Sequence, residues 1–224
     1  MIEPRDRLED TLTVFVVDDD ALSRDSLVLL LGQRGYRTRV FDGAESFLAS
    51  GARGAARWAG CLLADFDMPG ISGIDLMDCV AERGISLPVI AMSDHGDAAA
   101  VRQAFKRSAV DFLAKPIVEA DLVAAIAEAF DIEQRRLQNE LAQQQQRDRV
   151  GTLTRREREI CDLVTNGLSN REIAAALGIS HRTAQVHRGH VMRKMQATTL
   201  ADLIALCRTD NNKSRKQTGS TVSV

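Results

Sequence analysis

Four short, predominantly apolar runs, each closing on a reactive polar side chain, constrain this chain more than any other feature. Val14–Val17 runs into Asp18-Asp19-Asp20, and Cys61–Ala64 into Asp65. Leu87–Met92 runs into Ser93, and Ala109–Ala114 into Lys115-Pro116. Runs of this length suit strands buried on both faces, as in a parallel sheet covered by helices. Arg37–Phe41 alternates polar and apolar residues, which predicts a half-exposed fifth strand. Strands alternating with helical spacing give an α/β fold with a doubly wound, five-stranded parallel sheet. All strands then point one way, and their polar ends gather at the carboxyl edge, where open sheets of this kind place their chemistry.

The stretches between the strands carry helix signals. A helix is expected from Ala21 to Gly35, with Leu22, Leu29 and Leu30 as its core face. A short one covers Ala44–Ser50, followed by a small-residue loop over Gly51–Gly60. Ser72 is the N-cap of a helix that turns Ile74, Met77 and Ala81 inward and stops at Gly84. Asp97 caps the next, and a fifth starts near Glu119 with Leu122, Ile126 and Ala129 on one face. From Asp131 to Arg149 the composition turns polar around the glutamine tract Gln143–Gln146, which reads as a helical linker extending that helix. Leu137 and Leu141 are its only strong apolar pair, so a short dimeric coiled coil stays open there.

Beyond Gly151 every signal is helical. Thr154 with Glu157 three residues on is a capping-box pattern, ahead of Ile160, Leu163 and Val164. Ser169-Asn170 opens a second helix with Ile173, Ala174 and Leu177, and Gly178 closes it. Ser180 caps a third that reaches Met195, and Leu200–Cys207 is a fourth. The division expected is a sheet domain at 11–130, a linker at 131–150, a four-helix all-α domain at 151–208 and a polar, disordered tail at 209–224.

Charge separates the same regions. Residues 151–224 hold 12 Lys+Arg against 6 Asp+Glu, net +6, whereas the rest holds 17 against 25, net −8. An acidic module joined to one that meets a polyanion fits this polarity. Cys61, Cys79, Cys161 and Cys207 are scattered, which argues against a zinc site or a disulfide framework and for buried small apolar residues. No apolar run approaches the roughly 20 residues a membrane span needs, and no signal peptide is legible, so the expected location is the cytoplasm.

Crowded carboxylates at Asp18, Asp19 and Asp65 repel one another and need compensation. A hard cation such as Mg²⁺ favours carboxylate oxygens, and the Lys115 ammonium can approach the same centre. Such a site has room for one more anionic group. A phosphoryl group fits, with Asp65 as the nucleophile of an acyl phosphate. These residues resemble the receiver domain of two-component response regulators over 11–130: Val17-Asp18-Asp19, Asp65 with Met68-Pro69-Gly70, Ser93, and Asp111 to Pro116. The resemblance implies a flavodoxin-like fold and Mg²⁺ held by Asp18, Asp19, Asp65 and the Asp67 backbone carbonyl. It also implies phosphoryl transfer from a histidine kinase to Asp65, with Lys115 and Ser93 reading the phosphoryl oxygens. Phe112 takes the aromatic switch position, and the Lys115–Pro116 peptide is commonly cis in the family. Ser93 stands where Thr is common, Phe112 where Tyr is frequent, and Asp67 at a position that tunes the acyl phosphate's exposure to water.

Residues 152–207 resemble the LuxR-type helix-turn-helix, through Leu153-Thr154, Glu157, Ile160, Gly167, Ser169 to Ala174, Leu177 to Ser180, Thr183, Val186-His187, Val191 and Lys194-Met195. In the third helix Ala184, His187, Val191 and Met195 fall on one inner stripe. His187 is accordingly read as packing. Arg182, Gln185, Val186, Gly189 and Arg193 form a second face, suited to base edges in a major groove, with Thr183 beside them. Arg171, Arg188 and Lys194 are expected on phosphates.

The module order and the Ser93–Asp97 loop are similar to the FixJ branch of response regulators. The reading is a DNA-binding transcription regulator, not an enzyme, switched by phosphorylation at Asp65. It would dimerise through the region around Val101, Phe105 and Val110, and bind double-stranded promoter DNA. The rival reading is a receiver that serves as a protein-interaction module independent of phosphorylation.

Overall fold

The computed structural model describes residues 12–51, 58–94 and 98–207, and divides into two compact units that part between Leu137 and Gln138. The Asp97 cap, most of the Gly51–Gly60 loop and the 209–224 tail lie outside the described residues.

Five parallel strands form the sheet of the first unit: β1 (Thr13–Val17), β2 (Arg37–Phe41), β3 (Gly60–Asp65), β4 (Val89–Ser93) and β5 (Asp111–Ala114). Their order is β2-β1-β3-β4-β5. The helices of this unit are α1 (Ala21–Gln33), α2 (Ala44–Gly51), α3 (Gly73–Glu82), α4 (Ala98–Lys106) and α5 (Glu119–Gly151). α5 continues without a break past Leu137 into the second unit.

Alternate strand residues feed two cores, as period-two geometry requires. Phe15, Val17, Leu62, Ala64 and Ala91 pack with Phe47 of α2, Leu76 and Val80 of α3 and Ala104 of α4. Val14, Val16, Leu63, Ile90 and Met92 pack with Leu27 and Leu31 of α1 and with Leu122, Ile126 and Ala129 of α5. Each fully buried Leu or Ile contributes roughly 2 kcal/mol of transfer free energy.

Two expected helix faces are corrected. In α1 the core face is Leu27 and Leu31, with the expected Leu30 packed against the same core, whereas Leu22 and Leu29 are 77% and 65% exposed. The segment Leu27-Val28-Leu29-Leu30-Leu31 is apolar all round, so periodicity alone did not pick its inner side. In α3 the buried stripe is Gly73, Leu76, Met77 and Val80, and Ala81 is exposed. The stripe is rotated by roughly a quarter turn from the expected one.

The second unit holds the end of α5 with α6 (Arg155–Thr165), α7 (Asn170–Leu177), α8 (His181–Met195) and α9 (200–207). Full capping boxes open α6 at Thr154/Glu157 and α7 at Ser169/Glu172. Gly178 ends α7 in the left-handed region, where a side chain is strained. Ile160, Val164, Ile173, Ala184, Val191, Met195 and Leu203 make one buried core. Cys161 and Cys207 are joined in a disulfide between α6 and α9, which corrects the expectation of four free thiols. Their separation of 46 residues leaves no local signal; the pairing follows from both lying on inward helix faces. Cys61 and Cys79 are free, and burial pushes the Cys61 thiol well above its usual range.

Glu157 ties this unit together. Its Oε2 accepts from the Thr154 N–H at 2.8 Å and from the Lys194 ammonium at 2.6 Å. Lys194 donates also to the Thr152 carbonyl at 3.0 Å, so the end of α8 is tied to the start of α6. Chiefly through Lys194, the Glu157 carboxyl is held down to about 2, against an ordinary 4.5. A folded value below the unfolded one adds stability above pH ~4.5, and that stability is lost as pH falls toward ~2. Denaturant unfolding of the helical unit across that window is expected to show a fall in midpoint that Glu157→Gln flattens. Equal pH slopes in the two proteins would contradict the ion pair's role.

Candidate functional site

Register sets the site. Val17 pairs with Ala64 across β1 and β3, so Asp18 and Asp65 follow at the same level on neighbouring strands. The strand order reverses between β1 and β3, and the crevice outside that point is where sheets of this order bind ligands. Ser93 ends β4, opposite Ala114, and Lys115 follows β5. The Lys115 N–H donates to the Ser93 carbonyl at 2.9 Å, and the Lys115–Pro116 peptide is cis.

Asp18 is fully buried, with both carboxylate oxygens bonded. Its Oδ1 accepts from the Asp20 N–H at 2.8 Å, and its Oδ2 from the Ser23 hydroxyl at 2.6 Å and the Lys115 ammonium at 2.9 Å. Arg24 donates to the Asp18 carbonyl at 2.7 Å. Asp20, the third residue of the acidic triplet, caps α1 through the N–H groups of Leu22 and Ser23. Asp65 Oδ2 accepts from Lys115 Nζ at 2.6 Å, and Oδ1 from the Asp67 N–H at 3.1 Å.

Asp18, Asp19 and Asp65 each offer a carboxylate oxygen within 4.8 Å of the others. This is a hard, anionic donor set of the kind Mg²⁺ takes. Receiver domains bind Mg²⁺ at such an acidic pocket.

Burial raises the Asp65 carboxyl above its ordinary range; the bonds from Lys115 and the Asp67 N–H act against this, and the Asp18 charge adds to it. Burial pulls the Lys115 ammonium down, but its bonds to Asp65 and Asp18 outweigh that and hold it above its usual value. Lys115 therefore stays charged between two carboxylates.

The residues behind the acceptor complete the site. Ser93 is buried and donates its hydroxyl to Asp67 Oδ2 at 2.7 Å. The Phe112 ring meets the Phe66 ring edge-on at 5.8 Å. A Cβ at Gly73 would lie 2.2 Å from the Asp65 carbonyl, so glycine lets α3 approach the acceptor strand. Sequence reasoning missed Ser23, Arg24 and Phe66, and the bond from Ser93 to the Asp67 carboxylate. Only the α1 register and the short turn after Asp65 bring them in.

In the helical unit, α8 presents Arg182, Thr183, Gln185, Val186, Gly189 and Arg193 to the outside, and buries Ala184, Val191 and Met195. His187 is half-buried, with its ring 6.4 Å from that of His190. Arg171 on α7 is exposed. Arg188 donates to Asn170 Oδ1 at 2.8 Å, and Lys194 is engaged by Glu157.

Comparison with known proteins places both units. The response regulator receiver domain matches residues 14–127, and the luxR family of bacterial regulatory proteins matches residues 151–207. The transcriptional regulatory protein TdiR of Thauera aromatica is 39% identical over 192 residues, covering 86% of this chain and 83% of TdiR. The transcriptional regulatory protein FixJ of Bradyrhizobium diazoefficiens is 38% identical over 86% of this chain and 93% of FixJ. Among solved structures, the response regulator StyR matches with a TM-score of 0.77 and 36% identity, covering 88% of this chain and 98% of StyR. Full-length FixJ from B. japonicum matches at 0.54 and 37%, over 88% and 96%. Among the described residues no helix is long and apolar enough to cross a membrane. With an acidic pocket at the β1/β3 switch point, a LuxR-type helix-turn-helix later in the sequence and these relatives, the chain belongs to the response regulators of two-component systems, phosphorylation-controlled transcription regulators that bind DNA.

Proposed function

We propose that Asp65 is the phosphoacceptor, and that its phosphorylation by a histidine kinase controls promoter binding by α8. The observation that carries this reading is Lys115, whose ammonium bridges Asp65 and Asp18 at the switch point of the sheet. In the step proposed, an Asp65 carboxylate oxygen forms an O–P bond as the donor's N–P bond breaks, and the electron pair stays on the departing imidazole. Mg²⁺ held by Asp18, Asp19, Asp65 and the Asp67 carbonyl would neutralise charge on the transferred group. Lys115 and Ser93 supply donors to its oxygens.

The output reading follows from Ser93 and Phe112. Ser93 turning to the phosphoryl group lets Phe112 move, and the surface made by α4, β5 and α5 changes. Phe105 on α4 is 50% exposed and Val118, in the turn between β5 and α5, is 57% exposed, apolar area that a second copy would cover. A homodimer formed there would bring two α8 helices onto half-sites about one DNA turn apart. Arg182, Thr183, Gln185, Val186, Gly189 and Arg193 would face bases. Arg171, Arg188 and Lys194 would add positive charge along phosphates, Lys194 from within its ion pair.

Incubation with Mg²⁺ and a small radiolabelled phosphodonor is expected to label the wild type and leave Asp65→Asn at background. Equal labelling would refute the assignment. In footprinting, Arg182→Ala and Gln185→Ala are each expected to lose roughly tenfold of preference for the operator over unrelated DNA, while Arg171→Ala weakens both alike. An unchanged footprint in the first two would overturn the groove-face assignment.

A further inference from the structure

We infer that Asp67 is a positioning residue that latches the switch hydroxyl: in the unphosphorylated protein its carboxylate accepts the Ser93 hydrogen bond that the phosphoryl group must take over. The inference rests on the phosphoacceptor reading of Asp65. Ser93 lies at the buried end of β4, 1% exposed, and its Oγ donates to Asp67 Oδ2 at 2.7 Å. A hydroxyl has one proton to donate. While that hydrogen bond is made to Asp67, it is not available to an oxygen on Asp65.

The same short segment fixes the latch in place. The Asp67 N–H bonds Asp65 Oδ1 at 3.1 Å, so the residue is folded back over the acceptor with its carboxylate toward β4. The Phe66 N–H donates to the Met92 carbonyl at 2.8 Å, which ties the turn after β3 to the strand that carries Ser93. Phe66 in turn meets Phe112 edge-on. The two residues that follow the acceptor thus touch both members of the switch, Asp67 the hydroxyl and Phe66 the ring. Phosphorylation has to pull Ser93 off the Asp67 side chain, and hydroxyl–carboxylate bonds are among the stronger ones. The latch therefore opposes the active state until the phosphoryl group offers Ser93 a better anion.

Beryllofluoride binding in saturating Mg²⁺ measures this directly. Affinities would be compared for the wild type, Asp67→Ala, Asp67→Asn, Ser93→Ala and the Asp67→Ala/Ser93→Ala double variant. Asp67→Ala removes both the latch and a negative charge, whereas Asp67→Asn removes the charge and keeps an acceptor oxygen. The latch predicts that Asp67→Ala binds beryllofluoride more tightly than Asp67→Asn. It also predicts that the gain from Asp67→Ala is larger by about tenfold when Ser93 is present than when it is Ala. Equal affinities for Asp67→Ala and Asp67→Asn, or a coupling within twofold of unity, would overturn the latch and leave only repulsion between anions. Failure of beryllofluoride to bind the wild type, or undiminished binding to Asp65→Asn, would instead overturn the phosphoacceptor reading.

Discussion

One ammonium group holds the acidic edge of this sheet together. Lys115 reaches Asp18 and Asp65 from the end of β5, and without it three carboxylates would share a small space. Two unit charges 4.8 Å apart repel by about 3 kcal/mol at an effective dielectric of 20. The sheet accepts that cost because parallel register places Asp18 and Asp65 side by side whatever their charges. Lys115 offsets it, and so does the bonding of Asp18 to Ser23 and the Asp20 N–H. A site balanced in this way is unsuited to a lone added anion. It suits an anion that arrives with a divalent cation, which is the charge bookkeeping of Mg²⁺-dependent phosphoryl transfer.

The helical unit solves a different problem. Its helix α8, proposed above to meet DNA, is anchored on one side and left uncovered on the other. Ala184, Val191 and Met195 anchor α8 in the core, and Glu157 fixes its basic end to α6. The opposite face keeps its polar side chains in solvent, with Val186 exposed among them.

Much of this was legible in the sequence because the period of the pattern matched the structure. Five strands, the caps at Ser72, Thr154, Ser169 and Ser180, and the inner face of α5 all follow from local rules. What failed was local pattern without contrast. α1 offers leucines on every side, so only the sheet beneath it selects Leu27 and Leu31. The disulfide between Cys161 and Cys207 spans 46 residues and depends on how α6 and α9 pack. At the site, the residue types at Asp18, Asp65, Ser93 and Lys115 were readable as ends of strands. The Asp67–Ser93 bond was not, because it joins a turn to a strand through a side-chain direction. Lys194 read as a surface cation, yet its nitrogen is bonded to a carboxylate 37 residues earlier.

The central claim is that an anion bonded to Asp65 takes over the donors that now serve Asp18, Asp65 and Asp67. A crystal structure of the full chain with Mg²⁺ and beryllofluoride tests it most directly. The account predicts beryllium on an Asp65 carboxylate oxygen, with Lys115 Nζ and Ser93 Oγ donating to its fluorides. A bare Asp65 carboxylate, with Lys115 still on Asp18 and Ser93 still on Asp67, would contradict it.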